Sequence, residues 1–437
     1  MGKRRKIEIT LLLIAFFTLL ELLAGYIPRT NFLFTIGGYF GLVAIFYFLV
    51  KKLDSLKQIF ITGLIARIIM LFHLPEWSDD YFRFLWDGEL LTNLYNPYKY
   101  IPSEIYNEGL LSAPFNDLYP KLNSPNYYTI YPPVVQTISA LAVWLSQGNV
   151  TVAVVILKLL FLLGEVLSFW FLIKILKKKG REEILVALYW LFPLVIIEFV
   201  GNVHFECFMI TFLLGSYYYL EEEKFLLSAL FLALSFLTKL VPISFAPFFL
   251  IYLSWKNRIT WSLWLGLFCL IGMSPIILTG VHTSILASVK LYFTSFEFNS
   301  SFYLLDKIFH YWYWWYPEKT LKIIGYLLLI LIFVMTLWKK KMMILGIILF
   351  YSCYLFFSQS IHPWYVIPLL PLTLINGQIP KYIWAWLLLI PLTYVTYLTN
   401  EYKQQYWVNV LEYGIVLTLF IWVLLKEKGV IKVIENN

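Results

Sequence analysis

Charge is scarce in this sequence. Only 14% of its 437 residues are Asp, Glu, Lys or Arg, while 60% are hydrophobic. Soluble globular chains run closer to a quarter charged and under half apolar, so a water-soluble fold is excluded and an integral membrane protein is implied. The same composition excludes disorder and collagen-like repeats. Cysteine is nearly absent. Cys207, Cys269 and Cys353 lie inside hydrophobic segments at unrelated spacings, which argues against a disulfide framework, a zinc site or redox chemistry. No Gly-rich nucleotide-binding loop occurs, and no strong internal repeat of the kind that marks many transporters is visible.

What abounds is apolar length and aromatic surface, with 17 Trp, 32 Tyr and 37 Phe available for interface belts and substrate contacts. The net charge of +8 sits in short basic clusters between apolar runs, which is a topological signal, so no nucleic-acid partner is expected. A helix crossing about 30 Å of hydrocarbon needs roughly 20 apolar residues, and about fourteen segments qualify when shorter buried ones are admitted. They are 7–25, 32–50, 58–74, 150–175, 183–200, 203–220, 225–239, 242–255, 260–278, 320–338, 342–357, 363–377, 381–398 and 407–425. The run from Ile9, after Lys3-Arg4-Arg5-Lys6, reads as an uncleaved first helix because a second span follows and no small-residue cleavage site is evident.

One segment decides the topology. Tyr131 to Gln147 is apolar but short, and it opens on Pro132-Pro133. If it crosses, Lys177-Lys178-Lys179-Gly180-Arg181 falls outside. Read as an amphipathic helix in the interface, it puts that cluster inside with Lys51, Lys52, Lys57, Lys256, Arg258, Lys339 to Lys341, Lys426, Lys428 and both termini. The interfacial reading is adopted. The expected fold is an all-α polytopic membrane protein in five stretches: N-terminal spans over 1–74, a long external loop over 75–149, central spans over 150–278, a second external loop over 279–319, and C-terminal spans over 320–437. Long ordered loops are usually functional, so the chemistry is expected outside.

The first loop opens with Pro75-Glu76-Trp77-Ser78-Asp79-Asp80-Tyr81-Phe82-Arg83-Phe84-Leu85-Trp86-Asp87-Gly88. With Ser78 as a helix N-cap, Asp80, Arg83 and Asp87 share one face. The plain account is that Asp79 and Asp80 favour the positive end of a helix dipole. The functional account makes one carboxylate a general base toward an acceptor hydroxyl, while the other positions a cation or a sugar hydroxyl. Arg67, Lys158 and Glu165 lie within spans, where charge is costly unless paired, and structural pairing explains them. Asn96-Pro97-Tyr98 and Tyr131-Pro132-Pro133 read as turns. Phe296 to Tyr303 and Tyr311 to Tyr316 are aromatic stretches suited to membrane belts, and Asn299-Ser300-Ser301 also matches a glycosylation pattern.

The run Ser78 to Gly88, followed by Asn96-Pro97-Tyr98 and Tyr131-Pro132-Pro133, resembles the first external loop of multi-spanning GT-C glycosyltransferases. It is most similar to the bacterial polyprenyl-phosphate-mannose-dependent mannosyltransferases and more distantly to the glycosylphosphatidylinositol mannosyltransferases. Gly201-Asn202-Val203-His204-Phe205-Glu206, Thr238-Lys239-Leu240-Val241-Pro242 and His362-Pro363-Trp364-Tyr365 fit the same pattern. Glu206 departs from it, standing where an aspartate is expected.

The resemblance implies a GT-C-like bundle with catalytic acidic residues after the first spans, a lipid-linked sugar phosphate donor, a lipid or glycan acceptor and inversion at the anomeric centre. The resemblance leaves the base between Asp79 and Asp80; Asp80 is preferred, with Asp79 its partner, because Asp80 directly precedes the aromatic-basic run and shares a helix face with Arg83. Arg83, Asp87, Lys239, His204, Glu206, His362, Trp364 and Tyr365 are the expected substrate contacts. Lys239, before a helix-breaking proline, is placed to meet the donor phosphate, unless it simply snorkels to the interface. His204 and His362 are candidates for phosphate ligands or for partners of the carboxylates. No metal ligand set is evident, although Asp79 and Asp80 offer a weak site for a divalent cation. The expected setting is a bacterial inner or plasma membrane, with the site on the external face. A lipid transporter or flippase is the alternative function, and an assembly subunit a third; replacement of Asp80 separates the three.

Overall fold

The computed structural model describes residues 3–111, 113–281, 283, 286–290, 297–301, 304, 317–337, 342–398 and 404–426. The aromatic residues Phe296, Phe302, Tyr303 and Tyr311 to Tyr316 and the basic residues Lys339 to Lys341 and Lys428 lie outside the described residues. The chain is an all-α polytopic membrane protein; among the described residues its extended structure is a single bridge between Phe298 and Ser360. It divides into two compact units, one of Met1–Pro28 with Gly41–Thr294 and one of Arg29–Phe40 with Ser295–Asn437.

The helices used below are α1 Lys3–Gly25, α2 Phe32–Lys52, α3 Leu56–Leu71, α4 Asp80–Thr92, α5 Pro102–Glu108, α6 Pro133–Leu145, α7 Val150–Lys178, α8 Glu206–Glu221, α9 Phe225–Phe236, α10 Ala246–Tyr252 and α11 Trp255–Ile277. The second unit continues with α12 Pro317–Leu337, α13 Met343–Phe356, α14 Leu369–Asn376, α15 Lys381–Leu389 and α16 Tyr406–Lys426. By length and composition, six described helices can cross a membrane alone: α1, α2, α7, α11, α12 and α16. The bent pair Glu183–Trp190 and Pro193–Gly201 makes a seventh. Most of the other expected segments form shorter apolar helices, and Pro242 and Pro363 stand in the first turns of two of them. Helix α6 has 13 residues, about 20 Å, too short to cross alone.

Local sequence sets the helix starts. Ser55 Oγ accepts the Gln58 N–H at the head of α3, Asn149 Oδ1 accepts the Val152 N–H at the head of α7, and Pro133 occupies the first position of α6, where a missing N–H costs nothing. Close polar pairs mark the ends of the first unit. Arg5 meets Asp54 and Lys52 meets Glu8 at the N-terminus of α1, whereas His73 meets Glu21 at its other end. Lys158 donates to the Met70 and His73 carbonyls, so the start of α7 lies at the His73 end. Lys178, twenty residues on and about 30 Å along the axis, lies at the other end and pairs with Glu222. The basic clusters thus gather at one end of this unit and the acidic loop at the other.

Between them the segment 183–201 is bent by 59° ahead of Pro193. The break frees the Trp190 carbonyl, and Arg67 supplies its partner: Nη1 donates to Trp190 O at 2.9 Å and to Gly63 O at 3.0 Å. Nη2 of Arg67 meets Glu165 at 2.6 Å, and the guanidinium lies 3.6 Å from the Trp190 ring centroid. Tyr189 donates to the other Glu165 oxygen at 2.7 Å. Arg67 and Glu165 are fully buried. Glu165 therefore pairs with Arg67. Gly63 permits this approach, because a Cβ there would fall 2.1 Å from Trp190 Nε1. Replacing Arg67 by Leu strands a buried carboxylate and is expected to cost about 3–5 kcal/mol. The check is thermal unfolding in detergent, with Arg67→Leu/Glu165→Leu recovering part of the loss.

Candidate functional site

The acidic motif follows directly from the end of α3 and is held from both sides. Asn202 Oδ1 accepts the Trp77 N–H at 3.1 Å, while its Nδ2 donates to Ile197 O, which ties residues 75–79 to the bent segment. Helix α4 begins at Asp80, one residue later than a Ser78 cap predicts. Asp79 takes the cap position, and Ser78 Oγ accepts the Asp80 N–H at 3.2 Å. Both aspartates are half-buried. Asp80 Oδ1 accepts a bond from Asn123 Nδ2 at 3.0 Å.

Arg83 and Asp87 have a different situation from Asp80. Arg83 Nε donates to Asp87 Oδ1 at 2.8 Å, and its Nη1 donates to the carbonyls of Ser124 and Tyr127. Asp87 Oδ2 accepts from Gln136 Nε2, which also donates to Thr129 Oγ1. At 2% and 1% exposure these two side chains bind α4, the 123–131 segment and α6 into one body. Gly88 lets α4 and α6 meet closely, since a Cβ there would stand 2.8 Å from the Ser139 backbone. The two turn motifs join in the same body. Asn96 Oδ1 accepts the Tyr98 N–H, and the Tyr98 hydroxyl donates to Tyr131 O at 2.8 Å.

A second group of charges approaches from α8 and α9. Glu206 stands at the first position of α8, with Oε1 held by Lys239 Nζ at 2.8 Å; Oε2 is buried and has no hydrogen-bond partner among the described residues. Lys239 lies just past α9, 5.7 Å from the Tyr131 ring centroid, and its side chain is 22% exposed. His204 occupies the turn between the bent segment and α8. Its Nδ1 lies 3.0 Å from Glu198 O and 3.1 Å from Glu198 Oε2. Burial pushes its pKa from 6.5 down to about 4, with the nearby Asp80 and Glu206 carboxylates opposing and Lys239 adding to the depression. The ring is thus neutral at pH 7, and Nδ1–H donates toward Glu198 in a hydrogen bond rather than an ion pair. Val203, just before it, has φ +56°, a left-handed conformation rare for a β-branched residue.

Asp80, His204, Glu206 and Lys239 are therefore brought together, and Asp79 adjoins them in sequence. His362, Trp364 and Tyr365 belong to the second unit and form their own stack. The His362 ring lies 4.2 Å from Phe298 and 4.4 Å from Trp364, with Tyr365 edge-on at 5.3 Å. Among the described residues no group of three His, Cys, Asp or Glu side chains is arranged to hold a metal ion. Sequence reasoning passed over Glu198, Asn123 and Gln136. A lone acid inside the apolar run Val195 to Val200 was the available signal for Glu198; nothing local marks the other two.

Residues 13–255 match the N-terminal domain of the alpha-(1->6)-mannopyranosyltransferase family. No curated protein matches the chain. The matched stretch exceeds half of the chain and contains Asp79, Asp80, His204, Glu206 and Lys239. For His204 the folded pKa lies below the unfolded one, so its contribution to stability is complete above about pH 6.5 and is lost as pH falls toward 4, levelling off below. The loss expected is about 3 kcal/mol, at 1.36 kcal/mol per pKa unit. Unfolding of wild type and His204→Phe across pH 4–7 checks this: the variant should lack that slope.

Proposed function

The chain belongs to the alpha-(1->6)-mannopyranosyltransferase family, and from that premise we propose that it moves mannose from a polyprenyl-phosphate donor to a hydroxyl of a lipid or glycan acceptor. Mannosyl transfer follows from the family itself. The donor, the inversion and the external face of a bacterial inner or plasma membrane are the reading proposed here. The observation that carries it is the convergence of the half-buried Asp80 with His204, Glu206 and Lys239 at the end of the first unit away from the basic clusters.

In this reading Asp80 takes the proton of the acceptor hydroxyl as that oxygen attacks the anomeric carbon. The bond to the phosphate oxygen breaks on the opposite face, and the phosphate leaves with the electron pair. A single displacement that gives an α product requires a β-linked donor. Asp79 keeps the site acidic and positions the hydroxyl. Lys239 offers its ammonium to the leaving phosphate, and the unpartnered Glu206 Oε2 accepts a sugar hydroxyl. Arg83 and Asp87 act by fixing α4 rather than by touching substrate. His204 orders the turn between Glu198 and Glu206. The His362, Trp364 and Tyr365 stack offers flat apolar faces suited to a sugar ring or a prenyl chain.

The bent segment 183–201 is the feature that favours a transporter, although Arg67 and Asn202 both tie it down. The test is transfer of radiolabelled mannose from synthetic farnesyl-phosphate mannose to an octyl mannoside in nanodiscs. Asp80→Asn should lower kcat by about 10²–10⁴ with donor binding retained. Equal rates in wild type and variant would remove Asp80 as the base, and labelled-lipid translocation without transfer would sink the enzyme reading. Activity is expected to persist in EDTA because Lys239 supplies the positive charge; loss restored by Mn²⁺ would put a divalent cation beside Asp79 and Asp80 instead.

A further inference from the structure

Glu412 is fully buried in α16, one of the membrane-crossing helices. Uncharged donors hold it. Asn299 Nδ2 reaches both carboxyl oxygens at 3.2 Å, and Trp386 Nε1 donates at 2.9 Å. A carboxyl in such a place is costly, and an apolar side chain would pack there at less cost. Its presence points to the group it holds.

That group is Asn299, which α16 grips at every polar atom but its own N–H. Asn409 Nδ2 donates to Asn299 Oδ1 at 2.9 Å, and the Tyr413 hydroxyl donates to its carbonyl at 2.6 Å. Asn409, Glu412 and Tyr413 are spaced i, i+3 and i+4 and so share one helix face. Asn299 has φ +49°, the left-handed region that asparagine tolerates better than most residues. Its neighbour Phe298 is bound in turn: the Phe298 N–H donates to Gln359 O, Ile361 N–H donates to Phe298 O, and the Phe298 ring lies on His362. The path from Glu412 to His362 is therefore continuous.

We propose that Glu412 is a positioning residue for substrate binding, acting through Asn299 to seat Phe298 on His362 and so to fix the stack of His362 and Trp364. The inference rests on the mannosyl-transfer reading above and on contact between that stack and the substrate. Glu412→Leu keeps the volume and removes the acceptors; it should raise the KM for farnesyl-phosphate mannose about tenfold while kcat changes by less than about twofold. Glu412→Gln, which keeps an acceptor oxygen, should hold KM within about twofold of wild type. The double variant Glu412→Leu/His362→Ala should be no worse than His362→Ala alone, because both changes disable one element.

Additive effects in that cycle, or a Glu412→Leu protein of lower thermal stability with KM unchanged, overturn the positioning role. Should Glu412→Leu fail to fold, Asn299→Gly, which suits the left-handed backbone there, combined with His362→Ala runs the same cycle, and additivity there overturns it equally. A docking readout needs no activity: Phe298→Cys and Ser360→Cys, in a background where the native cysteines are Ser, should crosslink, and Glu412→Leu should cut the yield about fivefold. An unchanged yield refutes the latch. A Phe298→Cys/Ser360→Cys protein with Glu412 intact that crosslinks normally, beside a wild type that transfers nothing, refutes the functional reading while leaving the contact held by Glu412 in place.

Discussion

A charge in hydrocarbon must find its opposite, and Arg67 with Glu165 is where the first unit meets that demand. The pair is fully buried, so the choice of partners is rigid: either carboxyl oxygen is engaged, by Arg67 or by Tyr189, and the guanidinium spends a further donor on the carbonyl that the bend before Pro193 leaves exposed. Without that donor the break would leave an unsatisfied carbonyl in a medium with no water to replace it. The bend in turn sets where residues 196–204 run. Those residues carry Asn202, which holds Trp77, and His204, which stands among the charges of the candidate site. An ion pair at mid-span thus governs the geometry of a loop at the surface.

The site is assembled by layers of commitment. Arg83, Asp87 and Gln136 are spent on internal bonds and give α4 a fixed seat against α6. Asp79 and Asp80, at the head of the same helix, keep partial exposure. Lys239 and Glu206 neutralise each other in part, so the cost of drawing that cation out of water is already partly offset. His204, kept neutral by burial, adds a polar contact without adding charge.

Much of the fold is legible in the sequence because hydropathy responds to the same hydrocarbon that the helices face. The apolar runs of α1, α2, α7 and α11 reappear with boundaries shifted by a few residues. The interruption at 191–192 lies inside a run that hydropathy reads as continuous, since the signal is Pro193 and not a loss of apolarity. In the loop, Ser78 and Asp79 are both good caps, and the Trp77 N–H donating to Asn202 Oδ1 ties the frame to a residue more than a hundred positions away. The acidic motif is visible because Asp-Asp beside a span is rare. Asn123, Gln136 and Glu412 are invisible for the opposite reason: their partners Asp80, Asp87 and Asn299 lie 43, 49 and 113 residues away. Spacing along a helix can pair Arg83 with Asp87, but it cannot reach across the fold.

Asn299 opens the tripeptide Asn299-Ser300-Ser301, which a glycosylating host would read as an acceptor. In the folded protein it is sealed, at 4% exposure with its amide nitrogen turned to Glu412. During synthesis the order is reversed, because Asn299 is made more than a hundred residues before the helix that covers it. A sugar attached in that interval would occupy the nitrogen that Glu412 needs and keep α16 from docking. The choice of expression host therefore bears on the yield of folded protein, and Asn299→Gln is no harmless remedy, since its longer side chain has to fit the same sealed space.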